Sequence, residues 1–337
     1  MEQIVNLLRE QDNFVIASHI GPDGDAIGSS FGLAMALNKL GKKVTVMLEP
    51  YPDKYNIVPG REHLYTGIKP VEMDVFIALD CADKERLGFA RPFFRKAKTR
   101  ICIDHHATNE GFAHYNYIDP DAASTSEMVL TVIDALVELD ADIAVAIYTG
   151  IVTDTGGFKY MSTSRSTMEA AARLMEMGIP FTDIYNEVMH KHSFEASKAL
   201  GLALGASKLA LGGRVVYTCV PREMLQEAEA DSAEMDNVVE YLMSTKGAEA
   251  ALFLYERHKN IKDAAEDETE NSDDSEPKDG LKKIKVSMRS RGLDVGKIAA
   301  SLGGGGHRVA AGCTMVGTIE GVLEQVLGII ERELQDI

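Results

Sequence analysis

Short apolar runs alternate with stretches of helical period through the first half of the chain. "FVIAS" (14–18), "KVTVML" (43–48), "DVFIAL" (74–79) and "TRICI" (99–103) are rich in valine and isoleucine, and each reads as a buried strand. Between the first two lies "AIGSSFGLAMALNKLG" (26–41), apolar at helical spacing and stopped by Gly41. Strand, helix and strand in repetition predict an α/β unit: a parallel sheet with helices on both faces. Further helices are expected at 126–138, 143–152 and 166–177. The helical pattern of "FTDIYNEVMHKHSFEASKALGLAL" (181–204) follows Pro180 and predicts a linker over 183–204, joining a first domain (1–182) to a second (205–337).

The second half has a different rhythm. "RVVYTCV" (214–220), "AALFLYER" (250–257) and "LKKIKVSMRS" (281–290) are strand candidates, with helices expected at 222–228, 236–243, 294–302 and 319–334. This predicts a smaller mixed α/β domain. "IKDAAEDETENSDDSEPKDG" (261–280) is almost devoid of apolar residues and dense in acids, and reads as a disordered loop between two strands of a hairpin, with the insertion proper at about 262–280.

A length of 337 residues suits two cores better than one. The formal net charge, 35 − 52 = −17, opposes non-specific attraction to a phosphate backbone or an anionic membrane. A polyanionic substrate would therefore need local cations, and metal ions are the obvious source. Cys81, Cys102, Cys219 and Cys313 are scattered, without zinc-type spacing, and read as reduced thiols. No secretory pattern opens the chain and no apolar run approaches the roughly 20 residues of a membrane helix, so a cytoplasmic protein without a membrane partner is expected.

Acids and histidines gather where the predicted strands end. After the first strand comes "SHIGPDGDAIGSS", with His19, Asp23 and Asp25; taken alone, this turn is explained as well by helix capping. The third strand runs into Asp80, with Asp83 beyond, and the fourth into Asp104, His105 and His106. "AIYTGIVTDTGGFKY" puts Asp154 at the end of an apolar helix. In parallel sheets the carboxyl ends of the strands share one edge, where ligands collect. Carboxylates and imidazoles converging there are costly to desolvate unless a cation joins them. The mix of oxygen and nitrogen donors suits Mn²⁺, with Mg²⁺, Co²⁺ or Zn²⁺ as substitutes, and two metals form the usual clamp for phosphate-ester hydrolysis.

"GPDGDAIGS", "ALDCAD", "IDHH" and "GIVTDTGGF" resemble, in order, the four motifs of the DHH phosphoesterase superfamily. "VSMRSRGLDVGKIAASLGGGGHRVAAG" (286–312) resembles the signature of the DHHA1 domain that follows in one subfamily, and the nearest likeness is to its NrnA-like bifunctional oligoribonucleases and pAp phosphatases. The resemblance implies one Mn²⁺ on His19, Asp23 and Asp80, and a second on Asp25, Asp80, His105 and Asp154. It casts Asp80 as the bridge, His106 as the contact to the scissile phosphate, and Asp104 as the residue that orients the adjacent histidines. It also implies that Arg289, Ser290, Gly305 and His307 hold the substrate's other end. The four glycines before His307 then form a close-approach loop whose amides meet an anion. Arg308 stands where family members often carry Pro or Lys.

The implied substrates are RNAs of two to five residues, cut to mononucleotides, and 3′-phosphoadenosine 5′-phosphate (pAp), dephosphorylated to AMP. Hydrolysis of cyclic di-AMP or of linear dinucleotides is the alternative on the same centre. A non-catalytic nucleotide sensor, the reading from a different class, would require a damaged ligand set. Long duplex nucleic acid fits neither the length nor the charge of the chain, and a homodimer is left open.

Overall fold

The computed structural model describes residues 1–67, 71–230, 235, 237–256 and 281–335. The chain divides into two compact units, one ending at Lys191 and the other beginning at His192. The acidic insertion expected at 262–280 lies outside the described residues.

In the first unit, β1 (Asn13–Ala17), β2 (Lys43–Met47), β3 (Val75–Leu79), β4 (Thr99–Asp104) and β5 (Tyr115–Ile118) form one parallel sheet in the order β2-β1-β3-β4-β5. Side chains alternate faces along a strand. Phe14, Ile16, Val75, Ile77, Leu79, Ile101 and Ile103 therefore face one core. It is closed by α1 (Glu2–Glu10), α2 (Gly24–Lys39), α4 (Thr125–Asp134), α5 (Ala141–Asp154) and α6 (Arg165–Glu176). Val15, Ala17, Phe76, Ala78 and Cys102 face the other, under α3 (Arg91–Lys96) and the 3-10 segment Lys84–Ala90. Both faces are covered, as a parallel sheet requires.

The edge strand β5 has no counterpart in the hydrophobic pattern. Among the described residues it pairs only with β4, and it is nowhere fully buried, so its sequence "YNYI" needs no continuous apolar run. Its pairing places Ile118 beside Asp104.

Helices α2 and α5 cross at very close range. A β-carbon on Gly28 would come within 2.4 Å of the Ala146 carbonyl oxygen, and one on Gly150 within 2.9 Å of Asp25 Oδ1 and within 1.9 Å of Ser126 Oγ on α4. Only glycine fits at either point. The crossing draws the amino end of α2 and the carboxyl end of α5 toward the same edge of the sheet.

The second unit holds β6 (Lys208–Ala210), β7 (Val215–Val220), β8 (Ala250–Glu256), β9 (Lys282–Ser290), β10 (Gly305–His307) and β11 (Ala310–Gly317) in the order β10-β11-β9-β8-β7-β6. Only β7 and β8 run parallel. The expected hairpin strands pair antiparallel, Ala250 opposite Ser290 and Glu256 opposite Ile284. Ala250, Leu252 and Leu254 pack with α11 (Val295–Ser301) and α12 (Ile319–Gln335). Ala251, Phe253 and Tyr255 pack with α8 (Phe194–Gly205), α9 (Arg222–Ala228) and α10 (Val238–Met243).

Two expectations change. Residues 181–204 are not one helix: α7 (Phe181–Tyr185) passes into a π-turn at Asn186–His190, and Lys191 is extended. Ser193 then caps a new helix by accepting from the Ala196 N–H at 2.9 Å. The glycine run is not simply a loop either. Gly305, Gly306 and His307 form β10, paired with Gly312, Ala311 and Ala310. A β-carbon at Gly306, whose φ is 136°, would fall 2.6 Å from the Ala310 carbonyl oxygen, so the hairpin closes too tightly for a side chain there. No described helix is long and apolar enough to cross a membrane.

Candidate metal centre

Five segments deliver the predicted acids and histidines to the carboxyl edge of the first sheet. His19 follows β1, Asp80 follows β3, and Asp104, His105 and His106 end or follow β4. Asp23 caps α2 by accepting from the N–H groups of Asp25 and Ala26 at 3.0 and 3.1 Å, so capping and ligand placement fall to one residue. Asp25 lies in the first turn of α2 and Asp154 in the last turn of α5. Asp80 has φ 52°, in the left-handed region that few residues other than glycine occupy. Thus β3 does not simply run out: its backbone turns sharply and sets the carboxylate within reach of three histidines. Strained backbone of this kind is often kept at functional sites.

Three overlapping sets of donor atoms result, each within 4.8 Å: His19, Asp23 and Asp80; Asp25, His105 and Asp154; Asp80, His105 and His106. His19 Nε2 lies 3.8 Å from Asp23 and 3.5 Å from Asp80. His105 Nε2 lies 3.7 Å from Asp80 and 3.3 Å from Asp154. Asp80 belongs to two of the three sets and reaches the third through His105. Asp25, Asp80 and Asp104 are buried, His19 and His105 nearly so, and Asp23 is exposed.

The imidazoles suit a cation. Nδ1–H of His19 donates to the Ile20 carbonyl at 2.9 Å, and Nδ1–H of His105 to that of Ala122 at 3.3 Å. In both rings Nε2 is then the atom turned toward the carboxylates, which is how metal-bound histidines are usually oriented. The carboxylates point the same way. Burial and the neighbouring charge of Asp80 push Asp25 up to about 7, and burial with the charges of Asp25 and Asp80 holds Asp154 well above the usual carboxylate range. Burial alone would lower His19, yet Asp23 and Asp80 raise it to about 10. The protein by itself retains protons here to offset negative charge. A divalent cation would supply that positive charge instead, and the donor set fits one.

Asp104 acts on the two histidines in different ways, by a hydrogen bond to His106 and by its charge on His105. His106 Nδ1–H donates to Asp104 Oδ1 at 2.7 Å, whereas His105 takes its orientation from Ala122. Burial would raise Asp104, but its hydrogen bonds from His106 and Asn109 hold it below the ordinary carboxylate value.

Several partners escaped sequence reasoning. Backbone N–H groups of Thr125 and Ser126 donate to the two oxygens of Asp25 at 2.6 and 2.8 Å, and Thr125 Oγ1 donates to Asp80 at 3.2 Å. "STSE" at the start of α4 is a capping signal that pointed to exposed N–H groups, though not to their acceptor. Asn109 Nδ2 donates to Asp104 at 2.7 Å and to the Cys81 carbonyl at 3.1 Å, tying the second and third motifs together. A single Asn in a loop carries no sequence signal.

In the second unit, Arg289 and Ser290 end β9 and Gly305 and His307 belong to β10. Arg289 Nε donates to Glu240 at 2.5 Å, and the buried Ser290 hydroxyl donates to the Leu293 carbonyl at 2.5 Å. Gly305, His307 and Arg308 are exposed.

The DHH family, N-terminal domain, matches residues 13–151, and the DHHA1 domain matches residues 212–336. The chain is 32% identical, over 95% of its length and 89% of the relative's, to the bifunctional oligoribonuclease and PAP phosphatase NrnA of Thermus thermophilus. It is 24% identical to NrnA of Bacillus subtilis, covering 93% of this chain and 92% of that one. The crystal structure of an exopolyphosphatase-related protein from Bacteroides fragilis superposes with a TM-score of 0.83 at 28% identity, over 99% of this chain and 97% of the other. With both halves matched in order and the Asp-His-His edge built as described, the chain belongs to the DHH–DHHA1 family and is a phosphoester-hydrolysing enzyme.

Proposed function

We propose that the protein hydrolyses phosphodiester bonds in RNAs of two to five residues to release mononucleotides, and removes the 3′-phosphate of pAp to leave AMP. The observation that carries this reading is the convergence on Asp80 of donor sets containing His19, Asp23, His105 and His106. The NrnA relatives, matched along nearly their whole length, supply the substrate class.

His19, Asp23 and Asp80 would hold one divalent ion, and Asp25, Asp80, His105 and Asp154 a second, with Mn²⁺ the expected metal. Such ions, when bound, lower the pKa of water and neutralise charge on phosphoryl oxygens. The chain's own groups do the positioning. Thr125 and Ser126 fix Asp25 through their N–H groups, so that carboxylate needs no rearrangement as charge develops. Asp104 holds the proton of His106 on Nδ1, which assigns Nε2 to the phosphate. Asn109 keeps Asp104 in place through its second oxygen.

The domain division proposed here is catalytic for residues 1–182, linking for 183–204 and substrate-binding for 205–337, with Arg289, Ser290, Gly305 and His307 gripping the end of the nucleotide that is not cut. Arg289 is held by Glu240, and a substrate phosphate would compete for its guanidinium.

Product analysis tests the reading. The Mn²⁺-loaded protein is incubated separately with pApA, a five-residue RNA, pAp and cyclic di-AMP. Conversion of the first two to AMP and of pAp to AMP, with cyclic di-AMP untouched, is expected. Preferential opening of cyclic di-AMP would overturn it in favour of a cyclic dinucleotide phosphodiesterase.

A further inference from the structure

The first unit carries a second charged site, of the opposite sign. A cavity of about 280 Å³ is walled by Lys84, Arg91, Arg95 and Arg100, with Glu85 as its one carboxylate, and floored by Phe94 and Phe112. Arg100 stands near the amino end of β4, four residues before Asp104, which is about 13 Å along a strand at roughly 3.3 Å per residue. None of the residues that line the cavity is a donor of the metal centre.

Four cations around one cavity are unexpected on a chain of net charge −17. The bland explanation is a solvated basic face, in which water satisfies each guanidinium. Arg91 argues against it. Its Nη2 bonds to Glu85 at 2.6 Å, but its Nε is buried and has no hydrogen-bond partner. A buried donor without an acceptor is rare and costly, and points to a ligand that brings the acceptor. Among the described residues Lys84 and Arg95 form no ion pair, so two further cations are available to that ligand.

Arg100 is already in position. It lies over the Phe94 ring at 5.3 Å from the centroid, and its Nη2 donates to His114 Nε2 at 2.5 Å. Phe94 is buried under Arg100, and the half-buried Phe112, 5.5 Å from it, presents an aromatic ring beside the cations. Planar guanidinium forks match phosphate oxygens, and an aromatic surface takes a base.

We infer that this cavity binds the phosphate of a nucleotide, its cations gripping the phosphoryl oxygens while Phe112 lies against the base. The nucleotide is either a free mononucleotide or the terminal residue of an oligonucleotide.

The test is calorimetric titration of AMP, and of inorganic phosphate, into the metal-stripped full-length protein. One binding step should be present, weakened by salt, and lost or weakened at least tenfold in Arg91→Gln/Arg95→Gln. Arg95→Gln alone, at an exposed position, serves if the double variant melts early. The Asp80→Asn protein should retain the step, which separates this site from the metal centre and from the fate of the proposed hydrolytic activity. An unchanged isotherm in the arginine variants, or loss of the step in Asp80→Asn, overturns the inference. KM then identifies the source. A several-fold rise for a five-residue RNA but not for pApA assigns the site to the substrate's far end; unchanged KM values with AMP binding lost assign it to a free mononucleotide.

Discussion

The Asp-His-His edge of the first unit and the glycine hairpin of the second are built on different plans. At the edge, several donors are anchored from behind by backbone: Asp25 by two N–H groups, His19 and His105 by carbonyls. At the hairpin, Gly305 and His307 are exposed, and Arg289 is held by another side chain, Glu240. Backbone anchors cannot move aside without unfolding the element that carries them, whereas a side-chain partner can be exchanged for a ligand. The difference predicts that damage to the first region abolishes turnover and damage to the second weakens binding.

The largest effect is expected at Asp80. Asp80→Ala should remove hydrolysis of pAp to below detection while the thermal melt stays cooperative, because the carboxylate is shared between donor sets and belongs to no hydrophobic cluster. An active, folded variant would collapse the distinction between the two regions.

Metal removal should act next, on stability, and in a pH-dependent way. The raised pKa of Asp25, about 7, and that of Asp154 mean that the metal-free fold disfavours their ionised forms, so stability falls as pH rises from the ordinary carboxylate range through 7. His19, raised to about 10, adds stability that is full below its ordinary value and is lost as pH rises toward 10. Both run in the same direction. The gap in Tm between Mn²⁺-loaded and chelated protein should therefore widen from pH 5 to pH 8; a constant gap would show that the acids are not drawn together as described.

Asp104→Asn puts an amide, which donates as well as accepts, opposite His106 Nδ1 and so no longer fixes the imidazole tautomer. A loss of about 10–100-fold in kcat is expected, the usual scale for a partner behind a functional histidine. Asn109→Ala should fall toward the lower end of that range, since it acts on Asp104 through one bond. Steady-state kinetics with a pH profile would separate these from a folding defect.

The smallest effect belongs to the hairpin side. Arg289→Gln should raise KM for a dinucleotide by about tenfold, the worth of one charge-assisted hydrogen bond, and leave kcat nearly unchanged. An equal fall in kcat would mean that this arginine meets the reacting phosphate itself.

How far the sequence reveals these regions follows from the same physics. Strands β1, β3 and β4 are buried on both faces, so their apolar runs are continuous and visible, and the polar residues that follow them are out of place enough to be noticed. Edge strand β5, "YNYI", and β10, "GGH", are fully buried at no position and leave little hydrophobic trace. The break at 191–193 falls within a stretch of good helical period and is set by the cap at Ser193. Asn109 and the Ala122 carbonyl are invisible for another reason: they act through tertiary contacts that no local pattern encodes.

The tight α2–α5 crossing separates shape from chemistry. Gly28 and Gly150 set the spacing between the amino end of one helix and the carboxyl end of the other, and neither contributes a side chain to what is held there. A chain could therefore forfeit a ligand and keep its cleft, turning an enzyme into a receptor at one codon. The reverse does not hold: enlarging either glycine would shift Asp25 and Asp154 together and silence the centre with every ligand still in place.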